Sequence, residues 1–303
     1  MAFAGENLRK ISNCLTEDIF FQQLQAQGFE VNKEENFQRQ LARREIDLLQ
    51  TLGSQADSST ANFIKTRIHS KSNENLKVLL NFRFFPRQEL DLQQLLIPVP
   101  GESCSNLEKL LEIEDLEEFI DSLPQCYLYP TVPRLIRKLK KDNDFNAFDC
   151  AIDNISFQEQ IKAAGKLKLP LRATALELLG FEIDIINLCM LLRNAKTYYL
   201  DKNKLNQLWI AQGKQLKIKD LKILAEINDY EEIFLNLPAP FAKALQELKD
   251  MELYHSEHRL WNMLAKKVHM LFRNFNNPGY SILAYLYLLH FESLNLGRIY
   301  EGI

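Results

Sequence analysis

The chain has 303 residues, of which 46% are hydrophobic and 25% charged, so it can bury a folded core and is neither a disordered nor a fibrous protein. Its formal net charge of −3 and pI near 6.0 lack the strong positive charge typical of nucleic-acid-binding proteins. The least charged stretch, Asn274 to Phe291, is too polar for a bilayer span, which needs about 20 apolar residues. We therefore expect neither nucleic-acid binding nor membrane insertion.

The cysteines and the N-terminus indicate a cytosolic protein. The five cysteines are an odd number and include no Cys-x-x-Cys pair, so we expect reduced thiols rather than disulfides or a metal site. They are Cys14, Cys104, Cys126, Cys150 and Cys189. Glu6, Arg9 and Lys10 interrupt the region where a secretory signal needs an apolar run. We therefore expect a protein that is not exported.

The first segments of the chain have the spacing of amphipathic helices. Only five valines occur, against many Leu, Lys, Glu and Gln residues, and this balance favours helix over sheet. Apolar residues recur at helical spacing over residues 8–19 and again over residues 37–52. Asp57 is a suitable N-cap for a long helix that we expect to run to about Phe84. The sequence therefore predicts an all-α fold.

A motif recurs three times at nearly equal intervals. Asn75, Asn187 and Asn295 each precede a leucine, and the intervals between them are 112 and 108 residues. A hydrogen-bond acceptor stands three residues before each asparagine, and an apolar helical face follows it. The acceptors are Ser72, Asp184 and Glu292. This spacing predicts a repeated helical module of roughly 110 residues, a usual size for a domain.

A second pair of segments keeps the same spacing. Residues 95–101 read Leu-Leu-Ile-Pro-Val-Pro-Gly and residues 208–213 read Leu-Trp-Ile-Ala-Gln-Gly, with their glycines 112 residues apart. Since the third motif lies at the C-terminus, we expect residues 1 to about 70 to complete the third module. The termini would then meet, and the modules would close into a pseudo-threefold ring. The predicted modules are 1–100, 101–212 and 213–303.

These residues resemble a known family. Residues 180–193 read Gly-Phe-Glu-Ile-Asp-Ile-Ile-Asn-Leu-Cys-Met-Leu-Leu-Arg. This segment resembles the repeat of the C subunit of bacterial and archaeal V/A-type rotary ATPases, which is subunit d of eukaryotic V-ATPases. The turns that end at Gly101 and Gly213 are similar to the connections of that family. The resemblance extends from about Ala61 to the C-terminus.

The resemblance implies a fold and a role. The fold would be three similar helical modules arranged as a pseudo-threefold funnel. The protein would have no catalytic residues, metal or cofactor, and would sit on the cytoplasmic face of the membrane through protein contacts. Its partners would be the proteolipid ring below it and the central-stalk subunits in its socket. Ion transport and ATP hydrolysis would be coupled through it as one part of the rotor.

The motif supplies the candidate partner contacts. An acid and an amide one helical turn apart can instead bond to backbone or to neighbouring helices, because buried polar groups need hydrogen-bond partners. Both interpretations are open from the sequence. The candidate residues are Asn75, Asp184, Asn187, Arg193, Glu292 and Asn295.

Other features allow alternative functions. His255 and His258 have a spacing that could hold a metal from one helix face, although no further ligand is evident and a solvated face fits as well. The basic residues of 134–141 fit a solvated helix face, or contact with acidic lipids or acidic partner loops. No phosphate-binding loop, Gly-x-Ser-x-Gly motif or dinucleotide fingerprint is present. The alternatives are a helical-repeat adaptor in an unrelated soluble complex and a helical enzyme with a dispersed site.

Overall fold

The computed structural model describes residues 6–85, 91–124, 130–227, 229–248, 251–274 and 278–303. Within these ranges the chain forms sixteen α-helices and no β-strand, which confirms the predicted all-α fold. Among the described residues, two 3-10 turns and one π-helical turn follow directly on the ends of helices. The many strong helix formers and the few valines account for this result.

The three longest helices each carry one copy of the repeated motif. The described helices before residue 125 are α1 (Glu6–Ser12), α2 (Glu17–Gln25), α3 (Phe37–Ser54), α4 (Ser58–Phe84), α5 (Leu92–Leu95), α6 (Cys104–Lys109) and α7 (Leu116–Asp121). Those after residue 130 are α8 (Val132–Asp142), α9 (Phe145–Ala164), α10 (Leu171–Arg193), α11 (Lys202–Leu205), α12 (Ile218–Leu224), α13 (Tyr230–Asn236), α14 (Ala239–Leu245), α15 (Leu253–Phe272) and α16 (Pro278–Glu301). Asn75 lies on α4, Asn187 on α10 and Asn295 on α16.

The chain divides into two compact units. The first unit contains residues 1–129 and 281–303, and the second unit contains residues 130–280. In the second unit α10 packs against α9, α12 and α15 and is buried along most of its length. The boundaries of the three predicted modules and the pseudo-threefold funnel stay predictions.

Helices from both ends of the chain meet in the first unit. The ring of Tyr300 on α16 lies 4.8 Å from the ring of Phe37 on α3, between ring centroids. The Tyr300 hydroxyl donates a hydrogen bond to Glu17 Oε1 at 3.0 Å. Leu296 is buried in the same apolar cluster as Phe20 and Phe37. Residues near the N-terminus therefore pack beside the third copy of the motif.

The first predicted helix is wrong, because the chain forms two helices over residues 8–19. The α1 helix ends at Ser12 and α2 begins at Glu17, while Leu15 between them is 85% exposed. Thr16 causes the second start, since its hydroxyl accepts a hydrogen bond from the Ile19 N–H. The acidic residues that follow Thr16 also favour a helix N-terminus, which carries partial positive charge. A local cap therefore overrides the apolar spacing.

The next two helices confirm their predictions. The α3 helix runs from Phe37, with Asn36 as its N-cap, to Ser54. The α4 helix begins after Asp57 and ends at Phe84. One Asp57 carboxylate oxygen accepts from two backbone N–H groups of the first turn, at 3.0 and 3.3 Å.

Two further expectations concern the membrane and the cysteines. No helix in the described ranges is both long enough and apolar enough to cross a bilayer. Cys14, Cys104, Cys150 and Cys189 form no disulfide within the described part of the chain. Cys126 lies outside the described residues.

Candidate functional site

In the first copy of the motif, Asn75 holds the backbone of Ile97 at two points. The Asn75 Nδ2 donates to the Ile97 carbonyl at 2.8 Å, and the Ile97 N–H donates to Asn75 Oδ1 at 2.7 Å. Asn75 also donates to Glu102 Oε2 at 3.2 Å. Ile97 follows α5 in an irregular segment, so its backbone groups need partners outside a helix. The amide of buried Asn75 supplies two N–H donors and one carbonyl acceptor, so it can pair with both backbone groups of one residue and also bond to Glu102.

The second copy repeats this contact. The Asn187 Nδ2 donates to the Ile210 carbonyl at 2.8 Å, and the Ile210 N–H donates to Asn187 Oδ1 at 2.9 Å. The partner isoleucine lies 23 residues after Asn187 and 22 residues after Asn75 in the first copy. The spacing seen in the sequence therefore reflects two equivalent contacts, between Asn75 and Ile97 and between Asn187 and Ile210.

A further asparagine supports the second contact. Asn154 on α9 donates to the Trp209 carbonyl at 3.0 Å and accepts from the Ala211 N–H at 2.9 Å. Three successive residues of this segment are thus bonded by asparagines from two helices. Sequence reasoning did not identify Asn154, because it stands outside the repeated motif and its partners lie far along the chain.

Asp184 fixes the next part of the same segment. Its carboxylate accepts from the Gln215 N–H at 2.7 Å and from the Leu216 N–H at 3.1 Å. Burial raises the pKa of the Asp184 carboxyl, and these backbone donors partly oppose that rise. In the first copy the equivalent residue is Ser72, whose buried hydroxyl has no hydrogen-bond partner among the described residues. The acceptor position is therefore used differently in the two copies.

The two aligned glycines have different physical roles. Gly101 has a φ of +86°, a conformation that glycine adopts without steric cost. In the second copy the positive φ belongs to Gln212, at +75°, rather than to Gly213. A Cβ on Gly213 would lie against Asp184 Oδ1 and 2.5 Å from the Leu216 carbonyl oxygen. Gly213 is therefore needed for close packing, whereas Gly101 is needed for its backbone angle.

The third copy keeps the helix but lacks the backbone partner. Glu292 is buried and pairs with Arg44 of α3, with 3.4 Å between the Glu292 Oε2 and Arg44 Nη1 atoms. The Asn295 side chain is exposed, and none of the residues that the structure describes forms a hydrogen bond with it. Leu296 beside it is buried. We call a copy of the motif filled where a backbone segment bonds to its asparagine, as on α4 and α10. We call it open where no described segment does so, as on α16.

A comparison with models of known protein families identifies the family of this chain. A family model described as the ATP synthase (C/AC39) subunit matches residues 3–303. The chain belongs to this family. A search of curated proteins finds no match. The resemblance inferred from the motif is confirmed, and this C/AC39 subunit is a component of a rotary ATPase.

Arg193 of this C/AC39 subunit joins two helices of the second unit. Its guanidinium forms a bidentate pair with Glu257 of α15, with N–O distances of 2.5 and 2.8 Å. The hydrogen bond with Glu257 raises the pKa of Arg193 further above its ordinary value. In the first unit, Arg83 after the first motif donates instead to the Ile113 and Glu114 carbonyls. Both arginines connect a motif helix to a neighbouring element.

The six predicted residues are distributed over both units. The first unit contains Asn75, Glu292 and Asn295, and the second unit contains the other three. Four of the six are buried and bonded within the chain, which agrees with the structural alternative considered for them. The side chain of Arg193 is 43% exposed, and that of Asn295 is exposed. Their contact with a partner stays a prediction.

A charged cluster in the first unit escaped the sequence reasoning. Glu45 on α3 pairs with Lys71 of α4 at 3.2 Å and with His290 Nδ1 of α16 at 3.4 Å. Burial alone would raise the pKa of the Glu45 carboxyl, but Lys71 and His290 outweigh it and lower that pKa to about 2. The three residues line a cavity of about 300 Å³. Because the three residues are far apart in the sequence, no local pattern predicts that they meet.

The remaining sequence candidates lie on helices of the second unit. His255 and His258 are both on α15. No group of three or more His, Cys, Asp or Glu side chains in the described part of the chain could hold a metal ion. The basic residues of 134–141 lie on α8, which buries Val132, Ile136 and Leu139. A partner for this basic face stays a prediction.

Proposed function

We propose that this chain is a non-catalytic rotor subunit that caps the membrane proteolipid ring and couples it to the central stalk. The observation that carries the proposal is the family match, which extends over residues 3–303 and so covers nearly the whole chain. In this proposal the protein lies on the cytoplasmic face of the membrane and is attached by protein contacts. It transmits torque and needs no cofactor of its own.

The internal contacts of the motif support a mechanical role. A part that transmits torque must resist deformation, and irregular segments are usually the most mobile parts of a fold. Here the segments around Ile97 and Ile210 are fixed to α4 and α10 by buried asparagines. Leaving such a buried backbone group without its partner costs about 1–3 kcal/mol. These contacts therefore stiffen the connections between helices.

The exposed candidates are the ones that we propose for partner contact. The side chain of Arg193 is 43% exposed, and Glu257 holds its guanidinium in one orientation. A guanidinium that is already held in one orientation can bind a carboxylate of a partner with little loss of side-chain conformational entropy. In this proposal the buried members of the set position these surfaces rather than touch the stalk or the ring.

Affinity purification tests the assembly. The tagged full chain would be purified from gently solubilised native membranes, and the co-purifying proteins identified by mass spectrometry. We expect the central-stalk subunits and the proteolipid to be recovered together. Recovery of a soluble complex without them would contradict the proposal and favour the adaptor function.

A coupling assay tests the mechanical role. Membranes from cells that lack this chain should retain ATP hydrolysis by the catalytic head but lose ATP-driven ion pumping. The purified wild-type chain should restore pumping when it is added back. If hydrolysis by the isolated head itself depended on this chain, the non-catalytic assignment would be wrong.

A further inference from the structure

The motif comprises five residues, from the acceptor to the leucine, and its three copies bury the same positions with one exception. The acceptors Ser72, Asp184 and Glu292 are buried in all three, and so are the leucines that follow the asparagines. The residue before the asparagine is partly or fully exposed in every copy. Only the asparagine itself differs, because Asn75 and Asn187 are buried while Asn295 is exposed.

The difference has a simple cause. In the first two copies the asparagine is covered by the backbone segment to which it bonds, around Ile97 and Ile210. On α16 no described residue takes that place, so the Asn295 amide presents its donor and its acceptor together to solvent. The helix that carries Asn295 is fixed by buried Glu292 and Leu296 on either side. The donor and acceptor are thus presented from a rigid helix.

We infer that Asn295 is a binding site for an extended segment of a partner protein. One residue of that segment would present its backbone N–H to Asn295 Oδ1 and its carbonyl to Asn295 Nδ2, as Ile97 does with Asn75. Both contacts are to the backbone of the segment. Its N–H and carbonyl groups must therefore not be bonded already, so the segment is neither helical nor paired in a sheet. The inference does not depend on whether the partner belongs to the ring, the stalk or another subunit.

Charge adds a second requirement for the partner. Arg298 is exposed one helical turn after Asn295 and has no bonded partner among the residues described. In the first copy the covering segment also supplies a carboxylate, since Glu102 follows Ile97 by five residues and accepts a hydrogen bond from Asn75. Leu294, 38% exposed, adds apolar surface at the same face. The partner segment should therefore combine an apolar residue with an acidic residue several positions later.

The chain itself provides a probe for this site. An acetylated peptide with the sequence of residues 94–102, Gln-Leu-Leu-Ile-Pro-Val-Pro-Gly-Glu, would be titrated into the isotope-labelled full chain up to millimolar concentration. The side-chain amide of Asn295 should shift in the NMR spectrum and saturate. The side-chain amides of Asn75 and Asn187 should stay unchanged, because their sites are filled.

Two variants of the peptide distinguish binding through its backbone from nonspecific binding. A methyl group on the isoleucine nitrogen removes the N–H that Asn295 would accept, so affinity should fall about tenfold. Replacing the final glutamate with glutamine should weaken binding about two- to fivefold if Arg298 contributes as an exposed cation. Equal binding of the N-methylated peptide would overturn the inference.

Protein variants provide the matched control. With Asn295→Ala, the backbone amides of Leu294 and Leu296 should no longer shift on addition of the peptide. Asn262→Ala, which removes an asparagine from α15 in the second unit, should leave binding unchanged. Absence of an Asn295-dependent shift would overturn the inference. Shifts that depend on protein concentration without peptide would also overturn it, because a second copy of the chain would then occupy the face.

Discussion

The repeated motif makes different contacts on α10 of the second unit and on α16 of the first unit. In the second unit, α10 uses Asp184 and Asn187 to hold an irregular segment by its backbone. In the first unit, α16 buries Glu292 against Arg44 but leaves Asn295 exposed. A repeated motif therefore does not imply a repeated contact. The acid bonds within the chain in both cases, whereas the asparagine is bonded only on α10, where a backbone segment covers it.

The largest loss of stability should come from adding an atom between α10 and the segment that contains Gly213 and Leu216. Gly213→Ala places a Cβ against the Asp184 carboxylate and the Leu216 carbonyl, so the segment must move away. We expect the free energy of unfolding to fall by about 3 kcal/mol, as measured by urea denaturation.

Gly165→Ala is the matched control for this change. Its Cβ would meet only ordinary contacts at 3.4 and 3.5 Å, so its effect should lie within about 0.5 kcal/mol of the wild type. Equal effects of the two substitutions would mean that the Gly213 segment is not held closely against Asp184.

The next largest loss of stability should come from replacing the bonded Asn187, and replacing the exposed Asn295 should cost much less. Asn187→Ala leaves the buried Ile210 N–H and carbonyl without partners and should cost about 2 kcal/mol. Asn295→Ala removes no bond that the described residues form and should cost less than about 0.5 kcal/mol. Urea denaturation of both variants measures the difference. A larger loss for Asn295→Ala would show that α16 depends on a contact within the chain.

The charged cluster of the first unit should give the protein an acid-sensitive stability. The pKa of Glu45 is about 2 in the folded chain and 4.5 ordinarily, so its contribution is present above pH 4.5 and is lost as pH falls towards 2. Glu45→Gln should remove about 1–2 kcal/mol of this pH-dependent stability, as measured by denaturation across that range.

Glu74→Gln is the control for the acid range. It removes a half-exposed carboxylate that pairs with Lys77 on α4, and the loss of stability on acidification should remain. If the stability of the Glu45→Gln and Glu74→Gln variants depended on pH in the same way, the buried pairing of Glu45 with Lys71 and His290 would not cause the loss of stability in acid.

Among the substitutions that remove a contact, the smallest loss of stability should come from Arg193, because its pair with Glu257 is partly exposed. Arg193→Lys keeps the charge but loses the bidentate geometry, and should cost about 1 kcal/mol or less. A double-mutant cycle with Glu257→Gln isolates the coupling between the two residues. Absence of coupling would leave Arg193 free for a partner but without a fixed orientation.

Much of this fold could be predicted from the sequence, because local chemistry determines it. Asp57 and the long run without proline were enough to predict α4 to within about one residue at each end. The apolar spacing over residues 8–19 failed because Thr16 starts a second helix within it. Local signals compete, and a hydrogen-bonded cap overrides periodicity.

The site could be predicted only in part. The spacing of the asparagines identified residues that do share a role, but no pattern could show that Asn187 is covered and Asn295 is not. Asn154 and the Glu45 cluster escaped because their partners lie far away in the sequence. Contacts of this kind depend on the tertiary packing of helices, to which a single sequence gives no direct access.

Hydrogen exchange of the asparagine side chains distinguishes the filled copies of the motif from the open one. We predict that the side-chain amide protons of Asn75 and Asn187 exchange slowly with solvent, because both asparagines are buried and donate to backbone carbonyls. The Asn295 amide should exchange at the rate of a free asparagine in the isolated chain. Protection of Asn295, or rapid exchange at Asn75 and Asn187, would contradict the distinction between filled and open copies of the motif.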